Sequence, residues 1–159
     1  MSFAAKLNLM FSRKIAAAAI SVSLFSILLA IVWPNPFGEN IDLSSRIVQN
    51  FSALTVGYLI YSFPVIIIYG TITSLISDLI SHIFQKHIGK NGEVIVSLVL
   101  HLFFGLILWW LSLFAAFLFF LTDRFLLVKD KRGWGFALQC LCLPILLWII
   151  LNLLLQMIS

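Results

Sequence analysis

Two ionisable residues, Asp78 and His101, lie inside long apolar stretches of this chain. A carboxylate and an imidazole that meet in such surroundings could form a proton-linked pair or line a polar pocket. Three further polar residues, Ser74, Ser77 and Asn152, could supply hydrogen bonds beside them. We therefore take these five residues as the candidate polar site, with Asp78 and His101 at its centre.

The sequence contains no recognisable catalytic motif and little that favours a metal site or a disulfide. It contains no HExxH, GxSxG or P-loop motif, so no catalytic residue is assigned and we expect a protein that is not an enzyme. A metal site built on Asp78, His82 and His87 is disfavoured, because a spacing of five residues places the two histidines on different helix faces. We expect no metal and no cofactor. Cys140 and Cys142 are two residues apart on a predicted helix, where they cannot pair with each other.

The composition decides the class of protein. Of 159 residues, 62% are hydrophobic and only 10% are charged, against about 25% charged in an average soluble domain. The chain is thus predicted to be one integral membrane domain, 1–159. Its net charge of +4 indicates contact with the anionic headgroups of a lipid bilayer. It carries no basic stripe with interleaved aromatic residues, so we expect no nucleic-acid partner.

Four apolar stretches are long enough for the ~20 residues that a helix needs to cross a bilayer. The sequence therefore predicts an all-α integral membrane four-helix bundle with short loops. An interfacial helix over 3–12 is expected before the first span, because Phe3, Leu7, Met10 and Phe11 share one side. The predicted spanning helices cover about 15–33, 51–84, 94–121 and 136–158.

The second helix is predicted to end in an amphipathic extension. From Gly70 to Phe84, apolar residues recur at i, i+3, i+4 and i+7, while serines, Asp78 and His82 occupy the opposite face. Such a segment either emerges at the membrane surface or packs its polar face on neighbouring helices. Pro64 and Gly70 mark where it could bend.

The depth of the polar residues follows from the short loop near Gly89. Two helices joined by such a loop run antiparallel, and Asp78 and His101 are nearly equidistant from it. We therefore expect these two side chains at one height and paired by a pH-sensitive hydrogen bond. In a four-span chain the fourth helix ends on the same side, which would bring Asn152 to this level.

Small residues form stripes that predict close helix packing. On the first helix the stripe has spacings of 3, 4, 3 and 4, and Gly70 and Gly105 lie in similar stripes on the second and third helices. We expect these stripes to pack within the bundle, with self-association through one of them as the alternative. The residues of the first stripe are Ala16, Ala19, Ser23, Ser26 and Ala30.

The orientation in the membrane is not decided by charge. With four spans, five Lys/Arg fall on each side, so the positive-inside rule gives a tie. The basic residues before the first helix favour both termini in the cytoplasm. The residues counted on one side are Lys6, Arg13, Lys14, Lys86 and Lys90, and on the other Arg46, Arg124, Lys129, Lys131 and Arg132.

One part of the chain resembles a known family. The run from Tyr58 to Asp78, with Tyr61-Ser62-Phe63-Pro64, Tyr69-Gly70 and Ser77-Asp78, together with His101-Leu-Phe-Phe-Gly105, is similar to an uncharacterised family of small four-span membrane proteins of Bacillus-type Gram-positive bacteria. The likeness covers the second and third helices, under half of the chain. It implies a bacterial cell membrane and no particular activity.

Two functions from different classes remain. The first is a non-enzymatic polytopic membrane protein that acts by helix association, as an accessory, regulatory or immunity-type subunit. Its partner would be a second copy in a homo-oligomer or another membrane protein. The alternative is a small oligomeric transporter or channel with a polar vestibule around Asp78 and His101.

Overall fold

The computed structural model describes residues 3–36, 47–131 and 133–158. The chain is all-α there, as the composition and periodicity predict, and the regular elements are α-helices apart from one π-helical segment. The elements are α1 (Phe3–Val32), α2 (Ile47–Pro64), the π-helical segment Val65–Gly70, α3 (Thr71–Ile107), α4 (Trp110–Val128) and α5 (Trp134–Ile158).

In residues 3–36, 47–131 and 133–158, four stretches of helix are long and apolar enough to cross a bilayer, which indicates a multi-pass membrane protein. They are Leu7–Val32, Ile47–Phe84, Trp110–Val128 and Trp134–Ile158. The second stretch continues through Pro64 because the π-helical segment follows it directly. Proline has no N–H, so a carbonyl one turn earlier loses its usual donor, and a local change to π-helical geometry can pair such freed backbone groups. A further apolar helix, Gly92–Ile107, has fewer than the ~20 residues that a full crossing needs.

The predicted third helix over 94–121 is not one helix. The chain reverses at Leu108–Trp109, where Trp109 has a φ of 92°, and the end of α3 packs antiparallel against α4. His101 meets Phe120, with ring centroids 5.4 Å apart, and four residues further along α3, Gly105 lies against Ala116. From Leu106 to Leu111 this run is wholly apolar and has no Pro, Gly, Asn or Asp, so its sequence pattern does not reveal the break.

The turn at Gly89 is located as the sequence predicts. Gly89 has a φ of 71°, a conformation that glycine adopts at little steric cost, and it divides α3 into two arms. The arms are antiparallel: Ser97 Oγ donates to Asp78 Oδ1 over 3.0 Å, and the Tyr69 hydroxyl donates to the Phe104 carbonyl over 2.9 Å.

Helix α5 begins beside the start of α1. The Trp134 indole N–H donates to Asn8 Oδ1 over 2.6 Å, and the Gly133 N–H donates to Ser12 Oγ over 3.1 Å. The two helices therefore run parallel along their shared contact, and the described chain starts and finishes at opposite ends of the bundle. The prediction that both termini lie at one end is wrong, because the reversal at Trp109 adds a helix direction that the sequence pattern does not show.

The predicted interfacial helix 3–12 is also wrong as a separate element. Residues 3–32 form one continuous helix, which contains no proline or glycine to interrupt it. Its first turns are held by Asn8 and Ser12 against the start of α5, so they extend the bundle instead of lying flat on a membrane.

The centre of the bundle is α1, which contacts every other helix. Its four consecutive alanines, Ala16–Ala19, are fully buried, as is Ser26 farther along, and Ala30 is nearly so. Ser23 is half-buried and donates a hydrogen bond to the Ala19 carbonyl over 3.0 Å. Small side chains on all faces let the neighbouring helices approach α1 from several sides, which is a wider contact than a single stripe provides. Gly70 makes a comparable close approach to the Phe119 ring.

Replacing Gly105 by alanine should destabilise the hairpin of α3 and α4. A Cβ atom at position 105 would lie 2.7 Å from the Ala116 Cβ and 3.1 Å from the Ser112 carbonyl oxygen, where no flexible side-chain end can move away. We expect a loss of about 1–3 kcal/mol, measured as a lower midpoint of thermal unfolding in detergent.

The matched control is Gly57→Ala, because a Cβ there meets no atom of the described chain within 4 Å. Adding Ala116→Gly to the Gly105→Ala variant should recover part of the lost stability, since it removes the nearer of the two clashes. An unchanged midpoint in Gly105→Ala alone would contradict the close approach of the two helices.

Candidate functional site

Five charged side chains meet where α1, α3 and α4 come together. We call Arg13, Lys14, Asp78, Asp123 and Arg124 the charge network. Lys14 is 0% exposed and Asp123 1% exposed, values that are rare for charged residues unless they are paired.

Asp123 is held by two consecutive residues of α1. Arg13 Nε donates to Asp123 Oδ1 over 2.8 Å, and Lys14 Nζ donates to Asp123 Oδ2 over 2.7 Å. Neighbouring residues on a helix point about 100° apart, so Arg13 and Lys14 reach the carboxylate from two directions. Each carboxylate oxygen therefore has its own cationic donor.

Asp78 is the second carboxylate of the network, and it also pairs with cations. Lys14 Nζ lies 2.6 Å from Asp78 Oδ2 and so bridges the two carboxylates of the network. Arg124 Nη2 donates to Asp78 Oδ1 over 3.1 Å and to Ser97 Oγ over 2.7 Å. The Ser97 hydroxyl in turn donates to Asp78 Oδ1. Asp78 thus joins both arms of α3 to α1 and α4.

The amphipathic extension explains how Asp78 reaches the interior. On its polar face Ser74, Ser77 and Ser81 are fully buried, while Ile76 and Ile83 on the other face are exposed. The polar face therefore packs inward on neighbouring helices. Exposed apolar residues such as Ile83 also lie farther toward the turn at Gly89 than the network does, so the charges sit within the apolar part of the molecule.

The network contains three cations and two carboxylates, a net charge of +1. Removing charges from water costs several kcal/mol for each ion, and only well-placed opposite charges recover that cost. Because Lys14 contacts both carboxylates, it compensates each of them partly. The arrangement can fix the positions of α1, α3 and α4 relative to one another. Both carboxylates are paired with cations in it.

His101 does not pair with Asp78, contrary to the sequence-based expectation. Its Nδ1 lies 2.9 Å from the Ser97 carbonyl, one turn away on the same helix, and its Nε2 has no hydrogen-bond partner among the residues that the structure describes. The ring packs against Phe119 and Phe120 instead. Asp78 is already engaged by the cations, which sequence reasoning assigned to loops and to the membrane surface.

A small cavity lies beside His101. It has a volume of about 30 Å³, enough for one or two water molecules, and its walls come from the π-helical segment and the hairpin of α3 and α4. Tyr69, Gly70, Gly105 and Ser112 line it with His101. The cavity is too small for an organic substrate.

The other predicted site residues are divided between the two ends of the bundle. Ser77 lies near Asp78, but its hydroxyl donates to the Thr73 carbonyl over 2.8 Å. Ser74 is buried, and within the described ranges its hydroxyl has no hydrogen-bond partner. Asn152 is near the far end of α5, where its amide donates to the Trp148 carbonyl over 2.7 Å. The prediction that Asn152 shares a level with Asp78 is wrong, because α5 runs parallel to α1.

Sequence reasoning missed four of the five network residues. Arg13 and Lys14 precede the most apolar part of α1, and Asp123 and Arg124 fall in the last two turns of α4. Charges at helix ends normally reach water, so their position concealed their role. A usable signal was present: a consecutive cation pair and an acidic-basic pair each interrupt helix that is apolar on both sides.

In the part of the chain that the structure describes, no three His, Cys, Asp or Glu side chains come together as metal ligands. Cys140 and Cys142 are both free, the first buried and the second exposed. No family model, curated protein or solved structure matches this chain. The charge network is the most distinctive polar feature of the described residues.

Substitutions in the network should differ according to the charge balance that they leave. Asp123→Leu leaves three cations opposite one carboxylate, and we expect a loss of about 3–5 kcal/mol in the free energy of unfolding. Lys14→Met leaves two cations and two carboxylates, so its cost should be clearly smaller. Unfolding in detergent micelles measures both.

A double variant tests the pairing itself. Lys14→Met combined with Asp123→Leu should be more stable than Asp123→Leu alone, because the buried Lys14 cation no longer lacks its partner. Simple addition of the two single effects would show that Lys14 and Asp123 do not interact.

Proposed function

We propose that this chain is a non-enzymatic polytopic membrane protein that acts by helix association, in an accessory, regulatory or immunity-type role. The observation that carries the proposal is the internal pairing of the charge network. Both carboxylates are occupied by cations inside the bundle, with Asp123 held by Arg13 and Lys14. The network then serves to hold the bundle together, and contact with partners falls to the outer faces of the helices.

Helix α5 supports this proposal most directly. Only four of its 25 residues are buried, namely Ala137, Cys140, Pro144 and Leu151. Cys142 and Ile149 lie on the opposite side, and the half-buried Asn152 lies at the edge between the two faces. A carboxamide is both donor and acceptor, so Asn152 is self-complementary across a twofold contact. A second copy of this chain is accordingly the partner that we propose for α5.

The alternative, a small transporter or channel around Asp78 and His101, has less support. Beyond the charge network, buried Ser and Thr side chains are interspersed with an apolar cluster to which Phe25, Leu29, Leu59 and Ile66 belong. An ion or polar solute would meet unfavourable surroundings there. The small cavity beside His101 is the observation that favours this alternative.

The distribution of charge supports one orientation. All eight Lys/Arg of the described residues lie toward the end where α1 and α5 begin, whereas Arg46 and Arg132 lie outside those residues. The tie found in the sequence came from counting 122–135 on the other side. Under the positive-inside rule, we propose that this end faces the cytoplasm of a bacterial cell, as the family resemblance implies for the location. The eight residues are Lys6, Arg13, Lys14, Lys86, Lys90, Arg124, Lys129 and Lys131.

A reporter experiment tests this orientation. Alkaline phosphatase fused after Ser159 should be active, because that enzyme folds only outside the cytoplasm, and a fluorescent protein fused before Met1 should fluoresce. Alkaline phosphatase inserted between Lys129 and Lys131 should be inactive and serves as the control. Equal activity of both phosphatase fusions would contradict the parallel arrangement of α1 and α5 across a membrane.

The two cysteines give a matched test of association through α5. In membranes treated with a mild oxidant, a Cys140→Ser variant, which keeps the exposed Cys142, should form a disulfide-linked dimer. A Cys142→Ser variant, which keeps only the buried Cys140, should not. Asn152→Leu in the first variant should reduce the dimer severalfold, while Asn152→Gln should preserve it. Monomer alone in both cysteine variants would contradict self-association through this face.

A further inference from the structure

An apolar groove opens to the outside between α1, α4 and α5. Its volume is about 630 Å³, it is more open than enclosed, and its floor is almost entirely hydrocarbon. Two lysines, Lys129 and Lys131, stand at one end of it. The apolar part of its wall includes Leu24, Leu121, Phe125 and Phe136.

The end of α4 fixes the two lysines at the mouth of the groove. Asp130 has a φ of 51°, in the left-handed region, and its N–H donates to the Leu127 carbonyl over 3.2 Å. The Lys131 N–H donates to the Leu126 carbonyl over 3.0 Å. These two bonds are the Schellman arrangement that closes a helix C-terminus. Because the backbone on both sides of Asp130 is held, the two lysines are presented by ordered chain.

Lys129 also points over the groove wall. Its Nζ lies 5.8 Å from the centroid of the Phe125 ring, whose residue is 61% exposed and lines the groove. The ammonium groups therefore stand next to an apolar surface at the end of the bundle that carries the basic residues. Asp130 lies between the lysines in sequence, so the segment 129–131 carries a net charge of +1.

We propose that this groove binds one anionic phospholipid, with an acyl chain along Leu24, Leu121 and Phe125 and the phosphate between Lys129 and Lys131. The apolar wall matches a hydrocarbon chain, and the lysines match a phosphate in charge. Basic sites between transmembrane helices at the cytoplasmic surface bind acidic lipids in this way. The proposal does not depend on α5 association, because Cys142 and Asn152 face away from the groove.

Native mass spectrometry of the full-length protein, released from micelles that contain phosphatidylglycerol or phosphatidylcholine, tests the site. The wild-type protein should retain one phosphatidylglycerol with at least about tenfold preference over phosphatidylcholine. The double variant Lys129→Gln/Lys131→Gln should lose that preference. A matched double variant, Lys86→Gln/Lys90→Gln, removes the same charge from the turn of α3 and should keep it.

Two further measurements distinguish the contribution of the acyl chain to binding from that of the phosphate. Leu121→Trp fills the groove without changing charge and should abolish lipid retention, while its unfolding midpoint reports whether the bundle still folds. Inorganic phosphate and glycerol phosphate should not compete with the lipid even at millimolar concentration, since they lack the acyl chain. Equal losses in the two lysine double variants would overturn the proposal in favour of general surface charge, and competition by inorganic phosphate would reduce the site to a phosphate site.

Discussion

The structure depends on the compensation of charge at Asp123 and Asp78. Both carboxylates lie among apolar helices, where an unpaired ion would be too costly to persist, and Lys14 touches the two of them at 2.7 and 2.6 Å. Since the cations come from α1 and α4 and the carboxylates from α3 and α4, only one relative placement of these helices satisfies all of them. Apolar surfaces alone would tolerate sliding of one helix along another.

The reversal at Trp109 is what makes this pairing available. It folds α4 back along the second arm of α3, so that Arg124 meets Ser97 over 2.7 Å and Asp123 faces α1. Had residues 94–121 crossed the membrane as one helix, Asp123 and Asp78 would stand at opposite ends of the bundle. The turn and the charge network therefore require each other. Gly105, without a side chain, permits the close contact with Ala116 that the turn imposes.

The same reversal redistributes the surface of the protein. It brings Lys129 and Lys131 to the end where α1 begins, sets α5 parallel to α1, and opens the apolar groove that those lysines border. The proposed orientation, the α5 face and the lipid site are therefore consequences of one topological feature. The charges that are exposed there can contact headgroups, whereas the buried charges compensate one another.

Composition and periodicity determined the class of this protein, because 62% hydrophobic residues arranged at helical spacing leave few alternatives to an all-α bundle. They also indicated the turn at Gly89, the amphipathic character of the segment after Gly70, and the prominence of Asp78, but they did not decide whether the polar face of that segment packs inward. Those features are local: each follows from residues close together in the chain. The number of reversals is not local, since nothing in the apolar run around Leu108 and Trp109 distinguishes a turn from a continuing helix. Only tertiary packing decided the number of reversals. The partners of Asp78, the separation of His101 from Asp78 and the position of Asn152 follow from that number. A buried charge is stabilised by whichever opposite charge the whole fold brings near, and that partner can be 109 residues away, as Asp123 is from Lys14.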